Sequence, residues 1–248
     1  MLSGHRLAGL LLAAALAAPV ALTAAETALP TFDRPPTPYS ADYRLLRNDG
    51  QIATLTRSLQ CDGARCRYRQ HGRATGLARL LTGGGELDEQ SHFTLEQGQL
   101  RPQRYTYRER LFGRERLTDL RFDHRAGTVA SADGSWQQAL GETTLDGLLA
   151  QLALALALEQ GVERLALEVI EQNGRSRAYR FRVVGQEPLT TRAGTLQTVR
   201  VEYLDPHRPE RTTEVWFARD HANLPARIDQ QREDGTRWRY EVTALHTM

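Results

Sequence analysis

The chain has 248 residues, 40% hydrophobic and 25% charged, the make-up of an ordinary globular protein. Its 32 basic residues face 30 acidic ones, and a net charge of +2 excludes the electrostatic surplus of a nucleic-acid-binding protein. The basic residues are all arginine. They are spread along the chain instead of forming one block, so they read as compositional bias and not as a phosphate- or carboxylate-binding patch.

His5 and Arg6 precede an apolar run from Leu7 to Leu22, and Thr23-Ala24-Ala25 supplies small residues for a signal peptidase. That order predicts a secretory signal peptide over residues 1–25, cleaved near Ala25. The run is broken by Pro19 and is short for a membrane span, which takes about 20 apolar residues. The expectation is an exported, periplasmic protein with no transmembrane segment in the mature chain. Residues 26–38 contain Pro30, Pro35, Pro36 and Pro38 and predict an extended linker. Residues 39–248 predict a single β-rich domain.

Within that domain, Tyr39, Ala41, Tyr43 and Leu45 alternate with polar residues, and Asn48-Asp49-Gly50 is a strong turn signal. Ile52 to Leu59 then leads into Cys61 and Cys66, with Asp62-Gly63 between them as a hairpin signal. A tight hairpin brings the two Cβ atoms together, so the pair predicts a structural disulfide. C-x4-C with no partner Cys or His cluster is a poor zinc site. Gly76 to Leu81 reads as a short helical turn before the flexible Gly83-Gly84-Gly85. The acidic Glu86, Asp88 and Glu89 that follow read as a solvated turn.

Further strands are predicted around Tyr105 and Tyr107, Leu117 to Phe122, Tyr179 to Val183, Val199 to Tyr203, Leu224 to Ile228 and Trp238 to Ala244, all with period-2 alternation. One charged face and one apolar face mean an antiparallel sheet, solvated on one side. Between the two halves, Thr143 with Asp146 fits a capping box and Gly161 a C-terminal cap. The intervening helix carries Leu145, Leu148, Leu149, Leu152 and Leu156 on one face, and Leu154, Leu158 and alanines on much of the rest. Such a helix is buried around most of its circumference. The predicted architecture is therefore mainly β: a strongly curved antiparallel sheet, an open or half barrel, with one long buried helix in its concave face.

The chain lacks H-E-x-x-H, G-x-S-x-G, Walker A and G-x-G-x-x-G patterns, and no two histidines share a metal-ligand spacing. The expectation is a protein that is not an enzyme, with no cofactor and no metal. Trp216 and Phe217 point to opposite faces of one strand, so one aromatic lies off the core, over a helix or in a ligand groove.

The order of Tyr39-x-x-x-Tyr43, Ser91-His92-Phe93, Leu100-Arg101-Pro102, Arg121-Phe122-Asp123, Asp146-Gly147-Leu148-Leu149, Ala193-Gly194-Thr195-Leu196, and Trp216-Phe217-Ala218-x-Asp220 with Leu224-Pro225 resembles the domain of unknown function 3108 family of bacterial exported proteins. That resemblance implies an envelope protein and brings no catalytic residues. The inferred architecture is also similar to that of the LolA/LolB lipoprotein carriers and RseB-type periplasmic sensors, which hold acyl chains in an unclosed barrel. These readings lead to an expected binding protein, carrier or sensor for an apolar ligand: an acyl chain, a lipid or a lipoprotein. The expected cavity is lined by Leu145, Leu148, Leu149, Leu152, Leu156 and Trp216. The alternative is a structural or regulatory module of the cell envelope that binds a protein partner and no small ligand.

Overall fold

In the computed structural model, residues 28–204 and 210–246 are described; the expected signal peptide and its cleavage site lie outside them. The strands are β1 (Tyr39–Arg47), β2 (Gly50–Asp62), β3 (Arg65–Ala74), β4 (Glu86–Glu96), β5 (Gln99–Leu111), β6 (Arg114–Asp123), β7 (Thr128–Ser131), β8 (Gln137–Ala139) and β9 (Leu145–Asp146), followed by β10 (Arg164–Ile170), β11 (Ser176–Thr191), β12 (Gly194–Leu204), β13 (Thr212–Ala218), β14 (Leu224–Gln231) and β15 (Arg237–His246). Helix α1 (Gly76–Leu81) lies between β3 and β4, and α2 (Gly147–Glu159) between β9 and β10.

All the strands join one 15-stranded sheet in the order β8-β7-β6-β5-β4-β3-β2-β1-β15-β14-β13-β12-β11-β10-β9. The first and last strands of the domain pair at its centre, and the two halves wind outward from that seam. The sheet is curved and unclosed. It bends far enough for β9 at one edge to touch β5 in the opposite half.

Hairpins are set by turn chemistry. Asn48 and Asp49 both adopt positive φ, 47° and 69°, the two left-handed positions of a tight turn whose twist matches the strands it joins. Cys61 and Cys66 are directly paired across the next hairpin, with Cα atoms 4.1 Å apart, and form the expected disulfide. Every strand pair is antiparallel except one: β9 runs parallel to β10, with Leu145 opposite Val169 and Asp146 opposite Ile170. A pure hairpin pattern could not predict this, because α2 is the crossover that a parallel pair needs.

Helix α1 covers the predicted residues, and the acidic run after it is strand β4, not a turn. The N-cap of α2 is Asp146, whose carboxylate accepts from the amides of Leu148 and Leu149; Thr143 has no part in it. The helix ends with Gly161 at a φ of 76°, as predicted. Nine of its residues are buried, and it touches β4, β9, β10 and β14. In the linker, Phe32 is buried, its amide donates to the Gly98 carbonyl at 2.8 Å, and Gln160 at the end of α2 donates to the Thr31 carbonyl.

Candidate functional site: an amphipathic groove beside the long helix

Antiparallel register lays side chains in rows across the sheet. One row runs Ala41, Arg57, Gln70, Glu89, Tyr107 across β1 to β5. The adjacent row runs Tyr39, Leu59, Tyr68, Ser91, Tyr105, Leu120. Both lie on the buried phase of these strands, so a face that is otherwise apolar carries polar groups, which must find partners or be penalised.

They find them in α2 and in one another. Arg57 is almost fully buried, donates twice to the Gln70 amide oxygen, and reaches Gln151 of α2 with its third nitrogen at 3.1 Å. Its guanidinium stands 5.5 Å from the ring of Tyr43 and 5.8 Å from that of Tyr68, over faces that attract a cation. The Tyr39 and Tyr68 hydroxyls meet at 2.8 Å. Ser91 donates to Asp146 at 2.6 Å, and Tyr105 donates to Glu89 at 2.6 Å while accepting from Gln172.

Two carboxyls here are perturbed. Burial pushes Asp146 up to about 7, and the nearby Glu89 charge adds to this, over the opposing hydrogen bonds from Ser91 and from the Leu149 and Leu148 amides. Burial also raises Glu89 above the usual carboxylate range, although Tyr105 donates to it and the Arg57 charge favours its ionised form.

Along the open side of α2 lies a groove in two lobes. The polar lobe, about 400 Å³, is bounded by Glu89, Tyr105, Arg116, Gln172 and Asn173. The second, about 440 Å³, mixes Leu154, Phe181, Tyr203, Val215, Phe217 and Ile228 with the polar Arg177, Arg211, Thr213 and Gln230. Gly147, Gln151, Glu171, Asn173 and Tyr179 border both lobes, so the two adjoin. The rings of Tyr179, Tyr203 and Phe181 pack in a chain, with centroids 5.1 Å and 5.5 Å apart. A Cβ added at Gly147 would meet nothing within 4 Å, so there is open space beside this residue, where a larger side chain could project. Both lobes offer hydrogen-bonding groups, and the second adds aromatic and aliphatic surface that can shelter hydrocarbon.

The structure places Leu145, Leu148, Leu149, Leu152 and Leu156 in buried packing. Leu145 belongs to strand β9 and not to the helix, because the helix starts only after its cap at Asp146; the groove is bordered by Gly147, Ala150, Gln151 and Leu154 of α2. Trp216 and Phe217 do point to opposite faces. Phe217 borders the groove, whereas Trp216 lies on the other face, donating to Glu187 at 2.7 Å with Arg227 over its ring. Glu89, which borders the polar lobe, and the buried Arg57 and Asp146 behind the groove are not singled out by the sequence as site residues. The signal for Arg57 was present, since it stands on the inward phase of Leu55-Thr56-Arg57-Ser58-Leu59. Among the described residues no group of three or more His, Cys, Asp or Glu side chains converges as a metal site would require, and no helix is long and apolar enough to cross a membrane.

A family model described as a protein of unknown function, DUF3108, matches residues 38–243. No curated protein sequence matches the chain. Among solved structures, a β-barrel-like protein of domain of unknown function DUF1849 from Brucella abortus is similar in fold, at 12% identity and a TM-score of 0.54, covering 86% of this chain and 98% of that one. A DUF1089 family protein from Pseudomonas aeruginosa shares 12% identity over 82% of this chain and 89% of its own, with a TM-score of 0.32. A protein with a YmcC-like fold from Bacteroides fragilis shares 10% identity over 88% of this chain and 100% of its own, with a TM-score of 0.35.

Proposed function

This chain belongs to the DUF3108 family, and for this member of it we propose a non-enzymatic binding function: an exported carrier or sensor that holds an amphiphile with an acyl chain. In this reading α2 packs in the concave face of the sheet with Gly147 and Gln151 partly open to the groove. The acyl chain lies over Leu154, Phe181, Phe217 and Ile228, and the head of the ligand turns toward Gln151, Gln172 and Asn173. The observation that carries the proposal is the adjacency of the aromatic and polar lobes at Gly147, beside which there is open space. Purely structural packing would fill that junction, and interiors elsewhere are dense. The secretory signal expected over residues 1–25 supports a site of action in the cell envelope.

The alternative of a module that recruits proteins along its sheet edges finds little support. The edge strands β8 and β9 have 3 and 2 residues, too short to template an added strand.

The test is titration of the chain from residue 26 with a fluorescent fatty acid, for the wild type and for Gly147→Leu. A leucine at the first position of the helix does not cost helix propensity, and its side chain projects into the open junction. The expected result is saturable binding by the wild type and affinity reduced about tenfold or more by the substitution, with Tm not lowered. Absence of binding by the wild type, or equal binding by both, contradicts the proposal.

A further inference from the structure

The large hydrophobic side chains that stand exposed among the described residues are Leu77 (76% exposed), Leu80 (78%), Leu81 (74%), Phe112 (69%) and Leu117 (59%). They are not scattered. Leu77, Leu80 and Leu81 form the outward stripe of α1, at spacings of three and four residues. Phe112 sits in the turn between β5 and β6, and Leu117 follows on the same hairpin. The two carriers are joined: the Phe112 amide donates to the carbonyl of Thr82, the C-cap residue of α1, at 2.8 Å. Four of these side chains, Leu77, Leu80, Leu81 and Phe112, are thus gathered on two joined segments at one end of the sheet, and exposed apolar residues clustered in this way mark an interaction surface.

The backbone gives a second, independent sign. Leu111 pairs with Arg114, so Phe112 and Gly113 are the two central residues of a tight turn, and both have positive φ, 53° and 70°. That turn favours Asn or Gly at the first position, and a bulky residue there is strained. The β1–β2 hairpin uses Asn48 and Asp49 for the same conformation. Phe112 therefore costs stability in its turn, and its ring is not repaid by burial.

Arginines surround the patch. Arg79 on α1 and Arg114 beside Phe112 have no carboxylate partner among the described residues. Arg73 and Arg110 stand close by, each partly balanced by a glutamate, at 3.5 Å from Glu86 and Glu115. Leu77, Leu80, Leu81 and Phe112 protrude at a helix and a turn with Arg79 and Arg114 beside them, and line no cavity among the described residues, which suits a soft anionic interface better than a shaped protein surface.

We propose that this end, formed by α1 and the β5–β6 turn, docks the protein on the surface of an anionic phospholipid membrane, with Leu77, Leu80, Leu81 and Phe112 entering the interface and Arg79 and Arg114 meeting the headgroups. The site is separate from the groove, and either can fail without the other. The test is co-sedimentation of the chain from residue 26 with vesicles of phosphatidylcholine alone or mixed with phosphatidylglycerol. The wild type is expected to bind the mixed vesicles, less so in high salt. Leu80→Ser and Phe112→Asn are each expected to weaken binding roughly tenfold, and Arg114→Glu at least fivefold. Phe112→Asn relieves the turn, so its Tm is expected to stay level or rise while binding falls, which separates docking from folding. The proposal is overturned by absence of binding to either vesicle or by binding that the substitutions leave unchanged. It is equally overturned by concentration-dependent self-association that Phe112→Asn abolishes, which would make the patch an interface between copies.

Discussion

Ser91 donates to Asp146 across 2.6 Å in the interior, and the other oxygen of the same carboxylate accepts from the first amides of α2. One side chain thus fastens the helix to β4 and caps it. Asp146→Ala removes a cap, worth about 1 kcal/mol, and leaves the buried Ser91 hydroxyl without its acceptor, a further 1–3 kcal/mol or so. Chemical denaturation is expected to show a loss of roughly 2–4 kcal/mol.

The same carboxyl predicts a pH signature. Burial pushes Asp146 up to about 7, whereas an unfolded aspartate ionises near about 4. A raised pKa means that the folded state holds its proton longer. The contribution is full below about pH 4, falls as pH rises, and levels off above about 7. Denaturation across that range is expected to show stability of the wild type relative to Asp146→Asn declining by up to about 4 kcal/mol. A flat difference contradicts the assignment.

Glu241 predicts the opposite sign. It is buried on the other face of the sheet, between Arg44 and Arg227, which pair with it across β1, β15 and β14. Burial raises its pKa, but hydrogen bonds and charge from the two arginines outweigh this and hold it below the usual range. Its contribution is present at neutral pH and is lost as pH falls through the lowered value. Glu241→Gln leaves two arginines facing each other and is expected to cost about 3–5 kcal/mol at pH 7, a difference that shrinks in acid.

How much of this was legible in the sequence follows from what each feature depends on. Period-2 alternation and turn residues are local, so the hairpins at Asn48-Asp49 and at Cys61–Cys66 could be read directly, as could both helices. The parallel strand β9 is two residues long and exists through its pairing with β10, so no periodicity announces it. The groove depends on which side of α2 the sheet leaves uncovered, and a helix apolar on nearly every side gives no clue to that. Leucine spacing points to Leu148, Leu149, Leu152 and Leu156, whereas the residues of α2 that border the groove are Gly147, Ala150, Gln151 and Leu154. Glu89 reads as solvated charge until register sets it opposite Gln70 and Tyr107.

Arg57 offers a test of the buried polar row. Its hydrogen-bond partners are amide oxygens of Gln70 and Gln151, with no carboxylate in ion-pair contact among the described residues. Arg57→Met keeps the stem and strands both acceptors, and is expected to destabilise by about 1–3 kcal/mol. Arg57→Met combined with Gln151→Leu is expected to cost less than the sum of the separate changes, and a double-mutant cycle measures the coupling.

Trp216 and Phe217 separate groove from packing. Phe217→Ala is expected to weaken fatty-acid binding about tenfold, whereas Trp216→Phe, on the face occupied by Arg227 and Glu187, is expected to leave it unchanged. Equal effects of both would remove the basis for assigning Phe217 to the groove.

The most direct measurement is native mass spectrometry with organic extraction on the chain from residue 26, purified from a bacterial periplasm. The account predicts a stoichiometric co-purifying species with an acyl chain, lost in Gly147→Leu while the fold is kept. A ligand-free mass that stays unchanged when phospholipids and fatty acids are added would contradict it.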